Sequence, residues 1–464
     1  MEPPRRRFRV PRWRSPFGRG QEPLPIELAS PAAGGVAAGA TPPVTSGRFS
    51  QTFRAFRHRN YRLFYFGQSL SLIGTWMQTI AQAWLVLELT DSKEALGVVV
   101  MLQFLPITIL VLFAGVIADR VPKRNFLALT QVLAMIQAFT LAILVLTDAV
   151  ELWHVYALAL MLGVSNAFDL PTRQAFAIEM VGRKDLMNAV ALNSGMFNGA
   201  RLIGPAVGGF LIAGLGVEAV FLLNAVSFVP VLISLMAMRM SEMHTSDARP
   251  AGTRGNPIFE LKEGIGYAFR TPATLLVIIL VALIGTFGYN FTVMLPLIAK
   301  YVLHEGSVAL GILTASVGFG ALVAALLLAG RKAATRYQLF VGAALFALFL
   351  GGVALSENLY LTMFLLMGLG ASGATFGTTA NTSIQIATPD HLRGRVVSLY
   401  MLLFAGSTPI GGLLTGFMAE RWGTQTAVGV LAAMCVVGVL CGLAYYSSHR
   451  AAVAQSADAT RVAA

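Results

Sequence analysis

Twelve apolar stretches of about 20 residues, separated by short hydrophilic gaps, run from Tyr61 to Tyr446. A helix rises about 1.5 Å per residue, so such a stretch crosses the hydrocarbon core, where backbone polar groups must be satisfied within the chain. The composition agrees, because 56% of the residues are hydrophobic and only 12% are charged. The pattern predicts an all-α membrane protein with twelve transmembrane helices, at roughly 62–89, 95–118, 125–147, 152–172, 188–214, 217–239, 273–299, 308–329, 337–355, 358–386, 396–419 and 424–446.

The basic residues predict how these helices are oriented. Of the 34 Lys and Arg residues, 30 lie in the terminal regions and in every second gap. Cytoplasmic loops retain Lys and Arg, so both termini are predicted to be cytoplasmic. The net charge of +12 lies mostly in these loops and in the Arg-rich N-terminus. It indicates attraction to the surface of a lipid bilayer rather than binding to nucleic acid.

The longest internal gap, about 240–271, divides the predicted helices six and six. The halves also resemble each other, since Pro205 of the fifth span matches Pro409 of the eleventh at an offset of 204 residues. We therefore predict two parallel six-helix repeats. The domain boundaries that follow are a disordered cytoplasmic Arg/Pro-rich tail at 1–52, an N-terminal bundle at 53–240, a cytoplasmic linker at 241–271, a C-terminal bundle at 272–447 and a cytoplasmic tail at 448–464.

A basic motif occupies the gap between the second and third spans. Its members are Gly115, Asp119, Arg120, Lys123 and Arg124. The motif resembles the cytoplasmic loop signature of the major facilitator superfamily, although Pro122 stands where that signature has Gly. The resemblance implies the major facilitator fold and a latch that closes the cytoplasmic side in one conformation. An ordinary positively charged loop is the alternative interpretation.

A second motif, in the fifth span, comprises Gly204, Pro205, Gly208 and Gly209. It resembles the signature of antiporters in this superfamily, with Ala191 and Ala200 at flanking positions where that signature has Gly. Close helix packing is the alternative explanation. Wider phrases at 59–64, 169–176 and 188–194 resemble the bacterial exporter group that contains the enterobactin exporter and the macrolide efflux pumps.

Polar side chains at helical spacing predict a substrate cavity. The first span carries Gln68, Ser71, Thr75, Gln78 and Gln82 on one face. The tenth span carries Thr375, Thr378, Asn381, Thr382 and Gln385, the seventh carries Thr286, Tyr289 and Asn290, and the fourth carries Asn166. The resemblance implies that these four spans line the central cavity. The alternative is that the side chains hold helices together by hydrogen bonds.

Three ionisable residues lie within or beside the predicted spans, and one of them, Glu88 near the outer end of the first span, is expected to be wetted by the lipid headgroups. Arg201 lies about 13 residues into the fifth span, and Asp169 lies near the cytoplasmic end of the fourth. The two could pair with each other. Otherwise Arg201 contacts an anionic part of the substrate or a protonatable partner, and Asp169 either pairs with Arg120 or Arg124 of the latch or carries a coupling proton.

The sequence predicts a secondary active transporter of the bacterial inner membrane. We expect a monomer that exports a mid-sized amphipathic metabolite or drug, siderophore-like or macrolide-like, with protons as the coupling ion implied by the resemblance. An importer or lipid flippase on the same fold is one alternative, and a non-transporting sensor or scaffold is another. An enzyme is not expected, because the chain lacks a Gly-Lys-Ser/Thr phosphate loop and a His-Glu-x-x-His motif, and no cofactor or metal site is predicted.

Overall fold

The computed structural model describes residues 53–244, 257–328, 335–404 and 406–450, without the side chains of 111–113, 115–116, 118–120, 257–261 and 390–391. Apart from two short 3-10 helices, at Arg54–Arg57 and Met240–Glu242, the described regular structure is α-helical. The α-helices are α1 (Arg59–Thr90), α2 (Lys93–Arg120), α3 (Lys123–Leu146), α4 (Leu152–Leu215), α5 (Val217–Met236), α6 (Pro257–Arg270), α7 (Pro272–Gly288), α8 (Phe291–Tyr301), α9 (Ser307–Leu328), α10 (Arg336–Leu355), α11 (Leu359–Ala387), α12 (Asp390–Phe404), α13 (Thr408–Trp422) and α14 (Thr424–Ser448).

Eleven helical stretches in the described part of the chain are long and apolar enough to cross a membrane. One of them, α4, has 64 residues, which is about 96 Å at the helical rise and twice the length of a span. Gly182 interrupts it with a left-handed φ of 68°, so α4 contains both the fourth and the fifth predicted spans. The predicted all-α membrane fold is confirmed.

Three details differ from the predicted helices: the predicted linker contains a helix, and the seventh and eleventh predicted spans are each divided in two, the eleventh into α12 and α13. The segment predicted as a linker contains α6, whose residue Tyr267 donates a hydrogen bond to the carbonyl oxygen of Ala387 at 2.7 Å. The seventh predicted span is interrupted between α7 and α8, at Tyr289 and Asn290. Backbone of this kind is tolerated at membrane depth where it is buried in protein or lines a cavity, so the interruption marks the interior of the molecule.

The helices pack as two groups, which we call the N half (α1–α5) and the C half (α6–α14). Within the N half, α1 packs on α4 and α5, and α3 packs on both as well. Within the C half, α11 packs on α9 and α10, and α14 packs on α7 and α10. The main contacts between the halves are α4 with α9 and α2 with α13. The domain boundaries themselves remain a prediction.

Glycines allow the close approach of helices at both contacts. An ideal Cβ on Gly209 of α4 would lie 3.0 Å from the Cα of Gly311 on α9, and one on Gly416 of α13 would lie 3.0 Å from the Cα of Gly97 on α2. Any larger side chain at these positions would displace a backbone. The two contacts therefore hold the halves together near one end of the molecule.

Candidate functional site

The polar stripe of the first predicted span points into the N half. Gln68, Ser71, Gln78 and Gln82 are buried, and Thr75 is half-buried. The Nε2 of Gln78 donates to the Oε1 of Gln137 at 2.8 Å, and its own Oε1 accepts from the Nδ2 of Asn224 at 2.6 Å. Gln78 therefore joins α1 to α3 and α5, which favours the helix-bonding alternative for this side chain.

The stripe of the tenth predicted span is more accessible. On α11, Thr378 and Gln385 are exposed, and Thr375, Asn381 and Thr382 are half-buried. The Nε2 of Gln385 donates to the Oδ1 of Asn381 at 2.9 Å, so these two amides bond within their own helix. The face thus offers polar groups that a ligand can reach.

An aromatic cluster surrounds the interruption between α7 and α8. The hydroxyl of Tyr289 donates to the carbonyl oxygen of Gly373 at 2.7 Å, which fixes the ring beside α11. The ring centroid of Tyr289 lies 4.6 Å from that of Phe404, 5.0 Å from that of Phe346 and 5.8 Å from that of Phe291. We call these four residues the aromatic cluster. Phe346 is buried, and the half-buried Tyr289, Phe291 and Phe404 give the C half apolar area beside the polar face of α11.

Two further predicted cavity residues lie next to this cluster. Thr286 is half-buried and donates to the carbonyl oxygen of Ala282 at 2.6 Å in its own helix. Asn290 is buried, and its Nδ2 donates to the carbonyl oxygen of Thr286 at 2.8 Å. Its Oδ1 accepts no hydrogen bond within the described chain. Asn290 thus faces α13, where a Cβ on Gly411 would collide with it, rather than an open cavity.

Arg201 lies where α4 meets the C half, since its carbonyl oxygen would be 3.4 Å from a Cβ added to Gly318 of α9. Its side chain is half-buried and has no hydrogen bond or ion pair with any other residue that the structure describes. It lies close enough to Tyr289 for the two to interact electrostatically. Of the predicted cavity residues, Arg201 from the N half and Tyr289 from the C half are therefore brought together.

Arg201 and Arg124 were predicted as possible partners of Asp169, but Asp169 pairs with neither of them. Its carboxylate forms an ion pair with Arg173, one helical turn further along α4. The same carboxylate accepts from the Oγ1 of Thr130 at 2.9 Å and from the Nε2 of Gln131 at 2.8 Å. The i,i+4 spacing to Arg173 was a signal that sequence reasoning overlooked. Nearby, Asn166 is half-buried.

The predicted latch is described only in part. The side chains of Asp119 and Arg120 lie outside what the structure describes, and Gly115 is described only as part of the α2 backbone. The Nζ of Lys123 lies 2.7 Å from the Oε1 of Glu179, and Arg124 donates to the carbonyl oxygen of Met236 at 3.2 Å. Both contacts stay within the N half.

The glycine-proline motif of the fifth predicted span lies between two neighbouring helices. Gly204 and Gly208 pack against α1, where an added Cβ would lie within 3.1 Å of Trp76 and Ile80 respectively. Pro205 and Gly209 face α9. These positions serve close packing in the structure, and their link to antiport remains a prediction.

The segment before α1 forms a bracket that the sequence analysis did not predict. Arg54 and His58 each place a side-chain nitrogen 2.9 Å from the carboxylate of Asp185 in α4. Asn60 exchanges two hydrogen bonds with the backbone of Arg239, at 2.8 and 3.1 Å. The bracket fastens the start of α1 to α4 and to the end of α5. Asn60 lies in the stretch 59–64, whose only signal in the sequence was its resemblance to the bacterial exporter group.

Polar contacts join the two halves at one end of the molecule, which we call the Asp91 end. The Nζ of Lys300 and the hydroxyl of Tyr301, both from α8, each lie 2.7 Å from the Oδ1 of Asp91. The backbone N–H of Lys93 donates to the Oε2 of Glu420 on α13 at 2.6 Å. At the opposite end, which we call the Asp185 end, the ion pairs of Lys123 with Glu179 and of Arg395 with Glu263 each join two groups of the same half.

The charge on Asp91 contributes to this closure. The hydrogen bond from Lys300 lowers the pKa of the Asp91 carboxyl below its usual value of 3.8, with help from Tyr301. A group whose pKa is lowered by a contact favours that contact above its usual pKa and loses it as the pH falls through the lowered value. Closure at the Asp91 end should therefore persist from neutral pH down to about pH 4.

Replacing Asp91 with asparagine should weaken closure at the Asp91 end. Asparagine tolerates the positive φ of 49° at this position, so the loss of charge is the main change. We expect the backbone amides of Lys93 and Glu94 to exchange hydrogen severalfold faster, measured by mass spectrometry on the purified protein. Asp148→Asn is the matched control, since Asp148 also has a positive φ, of 53°, and is exposed. Equal exchange in Asp91→Asn and wild type would show that the charge is not needed.

Comparison with known proteins identifies the family. A family model described as "Transmembrane secretion effector" matches residues 50–461. The chain belongs to this family. It is a transporter of the major facilitator superfamily and a multi-pass membrane protein, not an enzyme, and the predicted resemblance to this exporter group is confirmed.

The transporter has relatives that match it over most of its length. It is 25% identical to the "Staphyloferrin A transporter" of Staphylococcus aureus, covering 80% of this chain and 92% of that protein. It is 27% identical to the "Multidrug efflux pump Tap" of Mycolicibacterium fortuitum, over 79% of this chain and 91% of that protein. A crystal structure of a POT family transporter in complex with 5-aminolevulinic acid superposes with a TM-score of 0.69 at 12% sequence identity. The superposition covers 84% of this chain and 96% of that one. That likeness confirms the fold.

Proposed function

We propose that the transporter exports a mid-sized amphipathic small molecule, siderophore-like or macrolide-like, by alternating access driven by protons. The proposal includes an inner-membrane location, cytoplasmic termini, a monomeric state and the two six-helix domains with the boundaries predicted above. The family supports export, and the named activities of the relatives support this range of substrates.

The unequal closure of the two ends is the observation that carries the proposal. Contacts from α8 and α13 tie the C half to the N half at the Asp91 end, whereas the ion pairs of Lys123 and Arg395 at the Asp185 end each lie within one half. If the basic loops are cytoplasmic, as predicted, the site between the halves opens to the cytoplasm. That state would load a molecule for export.

The chemistry between the halves supports an amphipathic substrate. The aromatic cluster offers apolar area, and the adjacent face of α11 offers hydroxyl and amide groups at Thr378 and Thr382. Sites of this kind bind by burying apolar surface, while a few polar groups fix the orientation. Asp169, which was a candidate to carry a coupling proton, is occupied by Arg173, Thr130 and Gln131.

Transport into inside-out membrane vesicles tests the proposal. We expect vesicles that contain the transporter to accumulate at least one member of a panel of dyes, macrolides and catecholate siderophores when their interior is made acidic. A protonophore should abolish the accumulation. Vesicles without the transporter are the control.

The other outcomes distinguish the alternatives. Accumulation only in right-side-out vesicles would favour an importer, and translocation of fluorescent lipid alone would favour a flippase. Export that persists with the protonophore present would overturn proton coupling but not export. No movement of any probe, with the protein shown to be folded in the membrane, would favour a sensor or scaffold.

A further inference from the structure

We infer that the exported molecule carries an anionic group joined to an aromatic body, and that the guanidinium of Arg201 binds that group. The inference rests on the proposed export function and narrows its substrate class. The anion would be a carboxylate or sulfonate, which matches the two-pronged geometry of a guanidinium.

The first argument is that Arg201 has no counter-charge among the described residues. An unpaired arginine at mid-membrane is costly even on the lenient insertion scale, so such a residue usually faces a partner or a wet cavity. Two buried acids of the N half already have partners, since Asp169 pairs with Arg173 and Asp185 pairs with Arg54 and His58. Among the described residues no carboxylate bonds to Arg201. A substrate anion would supply the missing charge at the point in the cycle where the site is loaded.

The second argument is that aromatic rings flank Arg201 on both halves. On the N half, Trp76 of α1 and Phe197 of α4 are in edge contact, with ring centroids 5.7 Å apart. Phe197 precedes Arg201 by one helical turn, so the two share a face of α4. On the C half, Tyr289 interacts with Arg201 and is backed by Phe404. A ligand whose anion meets Arg201 would therefore place its ring against an aromatic surface.

The third argument is that Arg201 is held in place by its backbone. A Cβ on Gly318 of α9 would lie 3.4 Å from the carbonyl oxygen of Arg201, so α4 and α9 touch at this level. One turn later, Gly204 is packed against Trp76 of α1. With its backbone between two helices, Arg201 presents its charge at a defined depth, as a binding residue must.

Two dyes with the same ring system test the inference. 8-Anilinonaphthalene-1-sulfonate carries a sulfonate, and N-phenyl-1-naphthylamine is its neutral counterpart. We expect the purified full-length transporter to bind the sulfonate more tightly, measured by equilibrium dialysis. Arg201→Gln should weaken sulfonate binding at least tenfold and leave binding of the neutral dye within twofold. Arg201→Lys should weaken sulfonate binding to an intermediate extent, because lysine keeps the positive charge but lacks the two-pronged guanidinium.

Arg421→Gln is the matched control. It removes one positive charge from an exposed position above the ring of Phe417, at the Asp91 end, and should not change the binding of either dye. Thermal unfolding establishes that each variant is folded. The inference fails if Arg201→Gln weakens both dyes equally or neither, or if Arg421→Gln weakens the sulfonate as much.

Vesicle transport of the same dyes separates this inference from the proposed function. Arg201-dependent binding of the sulfonate without transport of either dye would support the inference and count against export. If the neutral dye is exported and Arg201→Gln binds the sulfonate as tightly as wild type, the export function is supported and the inference is overturned.

Discussion

Replacing Gly311 with leucine should abolish transport by a protein that still inserts and folds. Gly311 lies against α4, where its Cβ would meet the carbonyl oxygen of Pro205 at 2.6 Å and the Cα of Gly209 at 3.0 Å. A leucine there would separate α4 from α9 and keep the Asp91 end from closing. We expect the transport rate to fall at least tenfold, because alternating access requires both closed ends in turn. Gly311→Ala should give a smaller loss.

Gly214→Leu is the control for the size and apolarity of the new side chain. Gly214 lies on α4 as well, and nothing lies within 4 Å of a Cβ added there, so transport should remain near the wild-type rate. Hydrogen exchange at Lys93 and Glu94 reports the state of the Asp91 end and should be faster in Gly311→Leu. Wild-type transport by Gly311→Leu would mean that the contact of α4 with α9 does not control access.

Replacing Gly320 with alanine should destabilise the C half more than any alanine substitution at an open glycine. A Cβ on Gly320 of α9 would collide with the carbonyl oxygen of Met367 on α11, and one on Gly370 would collide in the same way with Val317. Backbone cannot yield as a flexible side chain does, so we expect a loss of about 3 kcal/mol, the upper part of the range for overpacking. Gly320→Leu should leave little folded protein.

Thermal unfolding in detergent measures this effect, and Gly351→Ala is its control. Gly351 lies in α10, where an added Cβ would make only an ordinary contact of 3.9 Å with Ala432. Alanine there should be neutral or stabilise the helix by about 0.5–1 kcal/mol. Equal melting temperatures for Gly320→Ala and Gly351→Ala would contradict the packing of α9 on α11.

The apolar stretches that cross the membrane were predictable because hydropathy directly reflects the cost of burying polar groups in lipid. The interruption at Tyr289 and Asn290 was not, since neither residue breaks a helix by itself and only tertiary contacts stabilise it. α6 was also missed. Its apolar side chains alternate with charged ones such as Lys262 and Glu263, so it lacks the long apolar run that was being sought.

The candidate site was less predictable, because periodicity assigns a face to a helix but not a neighbour to the face. Gln78 and Thr378 both lie on polar stripes, yet Gln78 is buried between α3 and α5 and Thr378 is exposed. The pair of Asp169 with Arg173 was available from spacing alone. The proximity of Arg201 and Tyr289 joins residues 88 positions apart in different halves, and no local pattern reports it.

The hydrogen bonds of Gln78 with Gln137 and Asn224 restrict how this protein can diversify. Each of these amides satisfies another one inside the N half, so exchanging one of them strands a donor or acceptor away from water. Thr378 of α11 is exposed and has no hydrogen bond to another described helix, so replacing it leaves no donor or acceptor unpaired there. Adaptation to new substrates should therefore accumulate on one side of the molecule while the other is conserved as a scaffold.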